Sequence, residues 1–593
     1  MPRTAASTSA SAAPTKTASH PALDAAISRL TTGSPTWRAL SLDQRARLLQ
    51  GTRVTVGAAA EDWTSTAATL KGLGSSHPLR GEEWLAGPYA VLGALDAYAA
   101  SLRRLSRGVS PIAGTPYTDR PGDRTALLVF PRTRTDILLL SGFTGELWLK
   151  PGVTSADARA NAGLAQRTPP EAPGVGLVLG AGNVTSIPLL DALYELLSAD
   201  RVALVKLNPT MDALLPIFTR AFAPLIELNL IAFVTGDGAV GEYLVHHPDI
   251  AHVHITGAEA TFDTIVWGPV GAKRAGVTAR DRRKAKGDPI LKTPISAELG
   301  GVSPVIVVPG EWSKADLRFQ AESIATMRLT NSGHNCIAGQ VVMVSSDWPQ
   351  REEFVSELRA AYAAAPQREN WYPRAQERVD AAAASSPIAE TSPDGARVFI
   401  HVRPGEDATA LEQTEYFAPV LGVIELSGTG QEFLDRAVTH ANDKLAGTLG
   451  ANVLIDPETE SALGDGFERA IADLRYGSIA INAWTGAAFI LPTLSWGAYP
   501  GNTIEAVGSG IGVVHNACLI EDVERSVLRG PFRPFPRALS LPGQAGGVFT
   551  LLPKPPWFVS ARTGAAVSEG LTRYLIDGRL TGLIATFAKA FGA

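Results

Sequence analysis

Apolar residues recur at helical spacing from Pro21 to about Ala113, in Ala-, Leu- and Arg-rich stretches such as AAISRL and DQRARLLQGTRVTV, and predict a helical layer over residues 21–124. Between Thr125 and Lys150 the spacing shortens to β-type runs, ALLVF, DILLL and ELWLK, broken by Pro131 and the SGFTG turn. A projecting hairpin or edge sheet over residues 125–150 is expected. Over residues 171–294 strands and helices then alternate: GLVLG, SIPLLDALYELLS, VALVKL, DALLPIFTRAFAPLIEL, IAFVTG, VGEYLVHHP and HVHITG. Such alternation implies right-handed crossovers and a parallel, doubly wound sheet, which takes ligands beyond the carboxyl ends of its strands. A second α/β region, residues 295–480, faces the first across a cleft; residues 481–527 return towards the first region, and a Pro-rich extension occupies residues 528–593. Its PFRPFP and LLPKPPW stretches lead into an apolar-periodic helix, LTRYLIDGRLTGLIATFAKAFG, which fits a packing or oligomer element.

Length and charge narrow the function class. At roughly 100–200 residues per domain, a chain of 593 residues has room for two to four domains. Lys and Arg number 53 against 58 Asp and Glu, and a net charge of −5 gives no field for nucleic acid or an anionic membrane. A small-molecule partner is expected instead. The two cysteines, Cys336 and Cys518, are too few and too far apart for a disulfide framework or a thiolate metal cluster. No metal is therefore expected, and a reducing cytoplasm fits. Residues 1–20 lack the apolar core of a secretory signal and read as a disordered tail, and no apolar run reaches transmembrane length.

Within this frame a few residues could carry chemistry. Cys336 lies in TNSGHNCIAGQVVMV, on a polar, Gly-flanked loop that leads into a strand; the alternative is a small core hydrophobe, since cysteine is among the most buried residue types. His334 is two positions away and reads as a loop or structural residue rather than as an acid–base partner of the thiol. Glu298 opens AELGGVSPVIVV, and in such apolar company its pKa would rise enough to accept a proton from water near neutrality; the alternative is an exposed turn carboxylate. Asn183, in GAGNVTSIP after the first parallel strand, can present its amide to the cleft, although the Gly-rich turn lacks the full GxGxxG spacing. Lys206 ends VALVKL, where a dinucleotide would lie, or is a solvated strand-end charge.

Taken together, GAGN, VKLNP, HITGA, ELGGVSP, NSGHNCIAGQ, EYFAPV and GSIAIN resemble, in order, the signatures of the aldehyde dehydrogenase superfamily, from about Thr125 to Val514. The resemblance implies a cofactor domain over residues 171–294, a catalytic domain over residues 295–480 and a β oligomerisation element at residues 125–150. It implies oxidation of an aldehyde to a carboxylic acid with reduction of NAD or NADP. Cys336 would be the nucleophile, Asn183 an oxyanion donor, and Glu298 the base that activates the hydrolytic water. Lys206 would bind the adenosine ribose and Glu415 the nicotinamide ribose, while Phe417 positions the nicotinamide ring. Gly236 with Thr256, Gly257 and Ala258 would lie under the adenine and pyrophosphate. A homodimer or homotetramer would follow from the hairpin.

Some positions depart from the family pattern. Pro209 stands where NAD-preferring relatives often carry a ribose-binding glutamate, which tilts the expectation slightly to NADP. Gly182 replaces the aromatic that usually precedes the oxyanion asparagine. The basic linker from Lys273 to Lys292, with Arg280, Arg282, Arg283, Lys284 and Lys286, is a solvated loop or a contact for an anionic ligand such as coenzyme A. The last option sustains a second function, an acylating dehydrogenase or acyl-CoA reductase. A non-catalytic scaffold is a third.

Overall fold

The computed structural model describes residues 20–273, 276–533 and 554–592. Apart from His20, the tail read over residues 1–20 lies outside them, as do residues 274–275 of the basic linker and parts of PFRPFP and LLPKPPW. The amino-terminal layer is helical as expected: Pro21–Ala39, Leu42–Leu70 and Ala90–Leu105 pack with Trp37, Trp63 and Leu95 fully buried. Ser41 starts the second of these with a capping box, its hydroxyl accepting from the Gln44 N–H while the Gln44 amide returns to the Ser41 N–H.

Six strands form the first sheet, in the order Gly510–Ile511, Ile295–Leu299, Ile250–Gly257, Val175–Leu179, Val202–Lys206 and Ile231–Val234. All neighbours are parallel except the first pair. The chain enters at the central Val175–Leu179, winds outward through two strands and restarts on the other side at Ile250–Gly257. Strand order reverses there, so a crevice opens beyond the carboxyl ends of these two central strands. The long helix read in DALLPIFTRAFAPLIEL is divided into Pro209–Leu214, Leu215–Ala221 and Ala223–Glu227. Pro216 and Pro224, each near the start of its own piece, cannot donate to a continuous ladder.

The second sheet has eleven strands, in the order Tyr117–Arg120, Arg124–Phe130, Thr144–Leu149, Val523–Arg529, Ser478–Ile481, Gly450–Leu454, Ser303–Val307, Gly339–Ser345, Val420–Leu426, Val398–Val402 and Ala389–Thr391. The hairpin over residues 125–150 lies at the edge of this sheet: Thr144–Leu149 runs antiparallel to Val523–Arg529, which pairs in parallel with Ser478–Ile481. Three sequence readings change here. DILLL is not a strand but lies in the helix Arg134–Leu139, because Thr133 and Asp136 close a capping box that outweighs the β-like run. Ile295–Leu299, assigned to the catalytic region, belongs to the six-stranded sheet, and the chain crosses between sheets at Gly300–Gly301. The terminal helix is two, Gly564–Asp577 and Leu580–Ala590, divided at Gly578, whose φ of 67° suits glycine at a helix end.

Candidate active site

Cys336 follows the turn Thr330–Gly333, in which Asn331 and Ser332 hold positive φ, and precedes the strand Gly339–Ser345. Hydrogen bonds hold that strained turn in place. The Asn331 N–H donates to Glu82 Oε2 at 3.0 Å, its side-chain amide donates to the carbonyls of Asn183 and His334 at 2.9 and 3.1 Å, and the Trp371 indole donates to Asn331 Oδ1 at 3.2 Å. Asn183 is tied into the same loop, its Nδ2 donating to the His334 carbonyl at 2.8 Å. One of its two amide hydrogens is used there, and the other can serve an oxygen above Cys336. His334 is fully buried, and burial pushes its pKa down to about 3 against the pull of the Phe417 carbonyl, to which Nδ1–H donates at 2.8 Å. A neutral ring fixed in this way braces the loop and takes no proton from the thiol.

Glu298 stands on the strand Ile295–Leu299 in register with Thr256. Only 3 % of it is exposed, and Oε1 has no hydrogen-bond partner among the described residues. Burial pushes its pKa up to about 7, opposed by the Trp496 indole and the Cys336 thiol beside it. Burial also pushes the Cys336 thiol well above its usual value, and the nearby charges of Glu298 and Glu415 push it further. The resting sulfur is therefore a protonated thiol next to a carboxyl group poised at neutrality.

Two cavities meet at this sulfur. A cleft of about 1900 Å³ runs over the carboxyl ends of the six-stranded sheet and is lined by Asn183, Lys206, Glu298, Cys336, Glu415 and Phe417 among others. Thr256, Gly257 and Ala258 line it as read from the sequence; Gly236 does not. With φ at 146°, Gly236 turns the chain closely past Val240, and its neighbours Asp237, Gly238 and Gly241 face the cleft instead. Burial lowers the Lys206 pKa while Asp212 and Asp237 raise it, so Lys206 is a partly desolvated cation with two acids near. Burial pushes the Glu415 pKa up to about 8, against the pull of Arg328 and Arg378. A second cavity extends from Cys336 and Asn183 past Ile187, Trp484, Phe489 and Trp496.

Sequence reasoning missed several contributors. Gly300 is one: a Cβ there would overlap the Glu415 carboxylate, so the glycine makes room for it. Its signal was present in the GG pair after Glu298. Gly300→Ala is expected to displace Glu415 and weaken NAD+ binding about tenfold, a loss of roughly 1.4 kcal/mol, read by fluorescence titration; unchanged affinity would remove Glu415 from the cofactor site. The loss of an aromatic at Gly182 has a local cause, since a Cβ there would stand 2.6 Å from Asn208 Cγ and 2.7 Å from Thr210 Oγ1. The cavity wall is built from Trp484, Trp496 and Phe489, residues remote in sequence. The basic linker behaves as a surface feature. Lys284 pairs with Asp263 at 3.1 Å, Arg283 donates to the Trp267 carbonyl at 3.2 Å, and no described basic residue of the linker lines the cleft.

Comparison with known proteins bears on this geometry. Residues 208–377, which include Glu298 and Cys336, match the model of the aldehyde dehydrogenase family. A putative aldehyde dehydrogenase from Burkholderia cenocepacia superposes with a TM-score of 0.53 at 18% identity, covering 86% of this chain and 91% of that one. The fold is that of the aldehyde dehydrogenases. An indole-3-acetaldehyde dehydrogenase in complex with NAD+ superposes equally, with a TM-score of 0.53 at 17% identity over 86% of this chain and 88% of its own. Among curated relatives, a 1-pyrroline-5-carboxylate dehydrogenase of Bacillus subtilis is 28% identical over 42% of this chain and 44% of its own length. An NADP-linked succinate-semialdehyde dehydrogenase of Deinococcus radiodurans is 33% identical over 21% of this chain and 20% of its own. The chain thus matches less than half the length of these curated relatives. The superfamily resemblance and the α/β fold class read from the motifs are borne out. No described helix is long and apolar enough to cross a membrane.

Proposed function

We propose that this chain oxidises an aldehyde to a carboxylic acid with reduction of NAD+ or NADP+, using Cys336 as nucleophile. The observation that carries the reading is the meeting of two cavities at Cys336, with Glu298 and Asn183 lining the cleft beside the thiol. Glu298 takes the thiol proton, and the sulfur attacks the aldehyde carbon to give a thiohemiacetal. The second Asn183 amide hydrogen steadies the new oxyanion. Lys206, Glu415 and Phe417 would hold a nicotinamide dinucleotide along the cleft, and that cofactor, when bound, accepts the hydride. Having released the first proton to solvent, Glu298 draws a second from the water that hydrolyses the Cys336 thioester, which frees the acid and returns the thiol. As to coenzyme, Pro209 removes one acid from the ribose end, but Asp212 and Asp237 beside Lys206 restore negative charge, so the slight tilt to NADP loses its support and either coenzyme fits. The same reading includes a homodimer or homotetramer. With the hairpin already paired in its own chain, assembly would use the open sheet edge at Tyr117–Arg120.

The test is an aldehyde panel with NAD+ and NADP+, with and without coenzyme A, followed at the absorbance of the reduced cofactor. Turnover without coenzyme A is expected. Turnover only in its presence would favour the acylating reading, and failure to bind either dinucleotide would favour a scaffold. The pH profile adds a check. Glu298 works only as a carboxylate, and its pKa is raised from 4.5 to about 7. The proton therefore stays bound below about 7, and kcat/KM should fall tenfold per pH unit below that point and level above it. An acid limb near 4.5 would count against Glu298 as the base.

A further inference from the structure

The carboxyl-terminal segment from Lys554 to Asp577 has no part in the chemistry above, yet it is anchored on both sides of the thiol's apolar cavity. On one side it grips the helix Lys314–Leu329. Lys554 pairs with Glu322 at 2.7 Å, Ser560 Oγ donates to the same carboxylate at 2.8 Å, the Val559 N–H donates to Thr326 Oγ1 at 3.1 Å, and Phe558 packs on Phe319. On the other side the helix Gly564–Asp577 lies on the amino-terminal layer. A Cβ on Gly81 would stand 2.8 Å from Ala565 Cα, Arg573 joins Glu61 and covers the Trp84 ring, and Arg53 donates to the Leu575 carbonyl. Between the anchors, the Trp557 indole packs edge-on against Phe143 and lines the cavity together with Trp484, Trp496, Phe489 and Cys336.

The charged residues around this cavity are matched among themselves. Lys71 pairs with Glu83 at 2.8 Å, each at most 3 % exposed. Glu82 receives Arg368 at 2.6 Å and the Asn331 N–H at 3.0 Å. No cation among the described lining residues is left over for a carboxylate carried on a substrate tail, and an unpaired charge buried here would lose its hydration without return. An aromatic body, by contrast, finds indole and phenyl faces.

We propose that Trp557 is a specificity-determining residue supplied by the carboxyl-terminal segment, and that the cavity takes ring-bearing aldehydes that carry no carboxylate. The proposal rests on the reading of Cys336 as an aldehyde-oxidising thiol. In the wild-type protein kcat/KM for phenylacetaldehyde should exceed that for succinic semialdehyde at least tenfold; the reverse order overturns the proposal. In Trp557→Ala the ratio of kcat/KM for phenylacetaldehyde to that for acetaldehyde should fall about tenfold, carried by KM, with Trp557→Phe recovering most of it. An unchanged ratio in both variants overturns it. Calorimetric titration with 2-phenylethanol, which needs no chemistry, keeps the cavity separate from the catalysis. Binding that weakens about tenfold in Trp557→Phe→Ala order supports the site even if no aldehyde is oxidised, and binding indifferent to residue 557 overturns it.

Discussion

Cys336→Ala is expected to lower cofactor reduction by aldehyde by about three orders of magnitude or more, because no other group at the junction of the two cavities can form the covalent adduct. The second cysteine offers no substitute: Cys518 is fully buried, lies against Arg132 and lines neither cavity. Fluorescence titration with NAD+ should still detect binding, since Lys206, Glu415 and Phe417 are untouched. Residual turnover above a few per cent of the wild-type rate would remove the sulfur from the mechanism.

Glu298→Gln separates the two proton transfers assigned to one carboxylate. The isosteric amide keeps the contact with the Cys336 thiol and Trp496 but cannot take a proton. Rapid mixing should show a burst of reduced cofactor near one equivalent per site, formed more slowly than in the wild type. Steady turnover should fall further, by roughly 10²–10³-fold, because thioester hydrolysis loses its base. Loss of burst amplitude in proportion to turnover would confine Glu298 to the first step.

Much of this site was legible because its parts sit where β-strands end. Asn183, Lys206 and Thr256 follow or close strands whose alternation with helices fixes both sheet and crevice, and short apolar runs signal those strands clearly. Glu298 and Cys336 were legible as types in odd company: an acid just before a Gly-Gly turn and a buried strand, and a thiol in a polar turn. The surrounding wall was not legible. Trp484, Trp496 and Trp557 reach the cavity from segments whose own sequence carries no sign of that meeting, since it depends on helix packing across the chain. Two local misreadings share a cause. In DILLL and at Gly236 the apolar or small-residue pattern was correctly seen, but a capping box in one and a tight approach to Val240 in the other decided the geometry. The later partner of the hairpin was not legible either, since Val523–Arg529, which pairs with Thr144–Leu149, lies almost four hundred positions further on.

That pairing bears on how the chain acquires its structure during synthesis. Val523–Arg529 is the single strand joining Thr144–Leu149 to Ser478–Ile481. A nascent chain can therefore close the six-stranded sheet as far as Ile295–Leu299, and much of the larger one, while the early hairpin waits unpaired along one edge. Contacts of such sequence separation form late and slowly. The waiting edge, with the Thr144–Leu149 backbone unpaired on that side until residues 523–529 arrive, is a stretch exposed to aggregation.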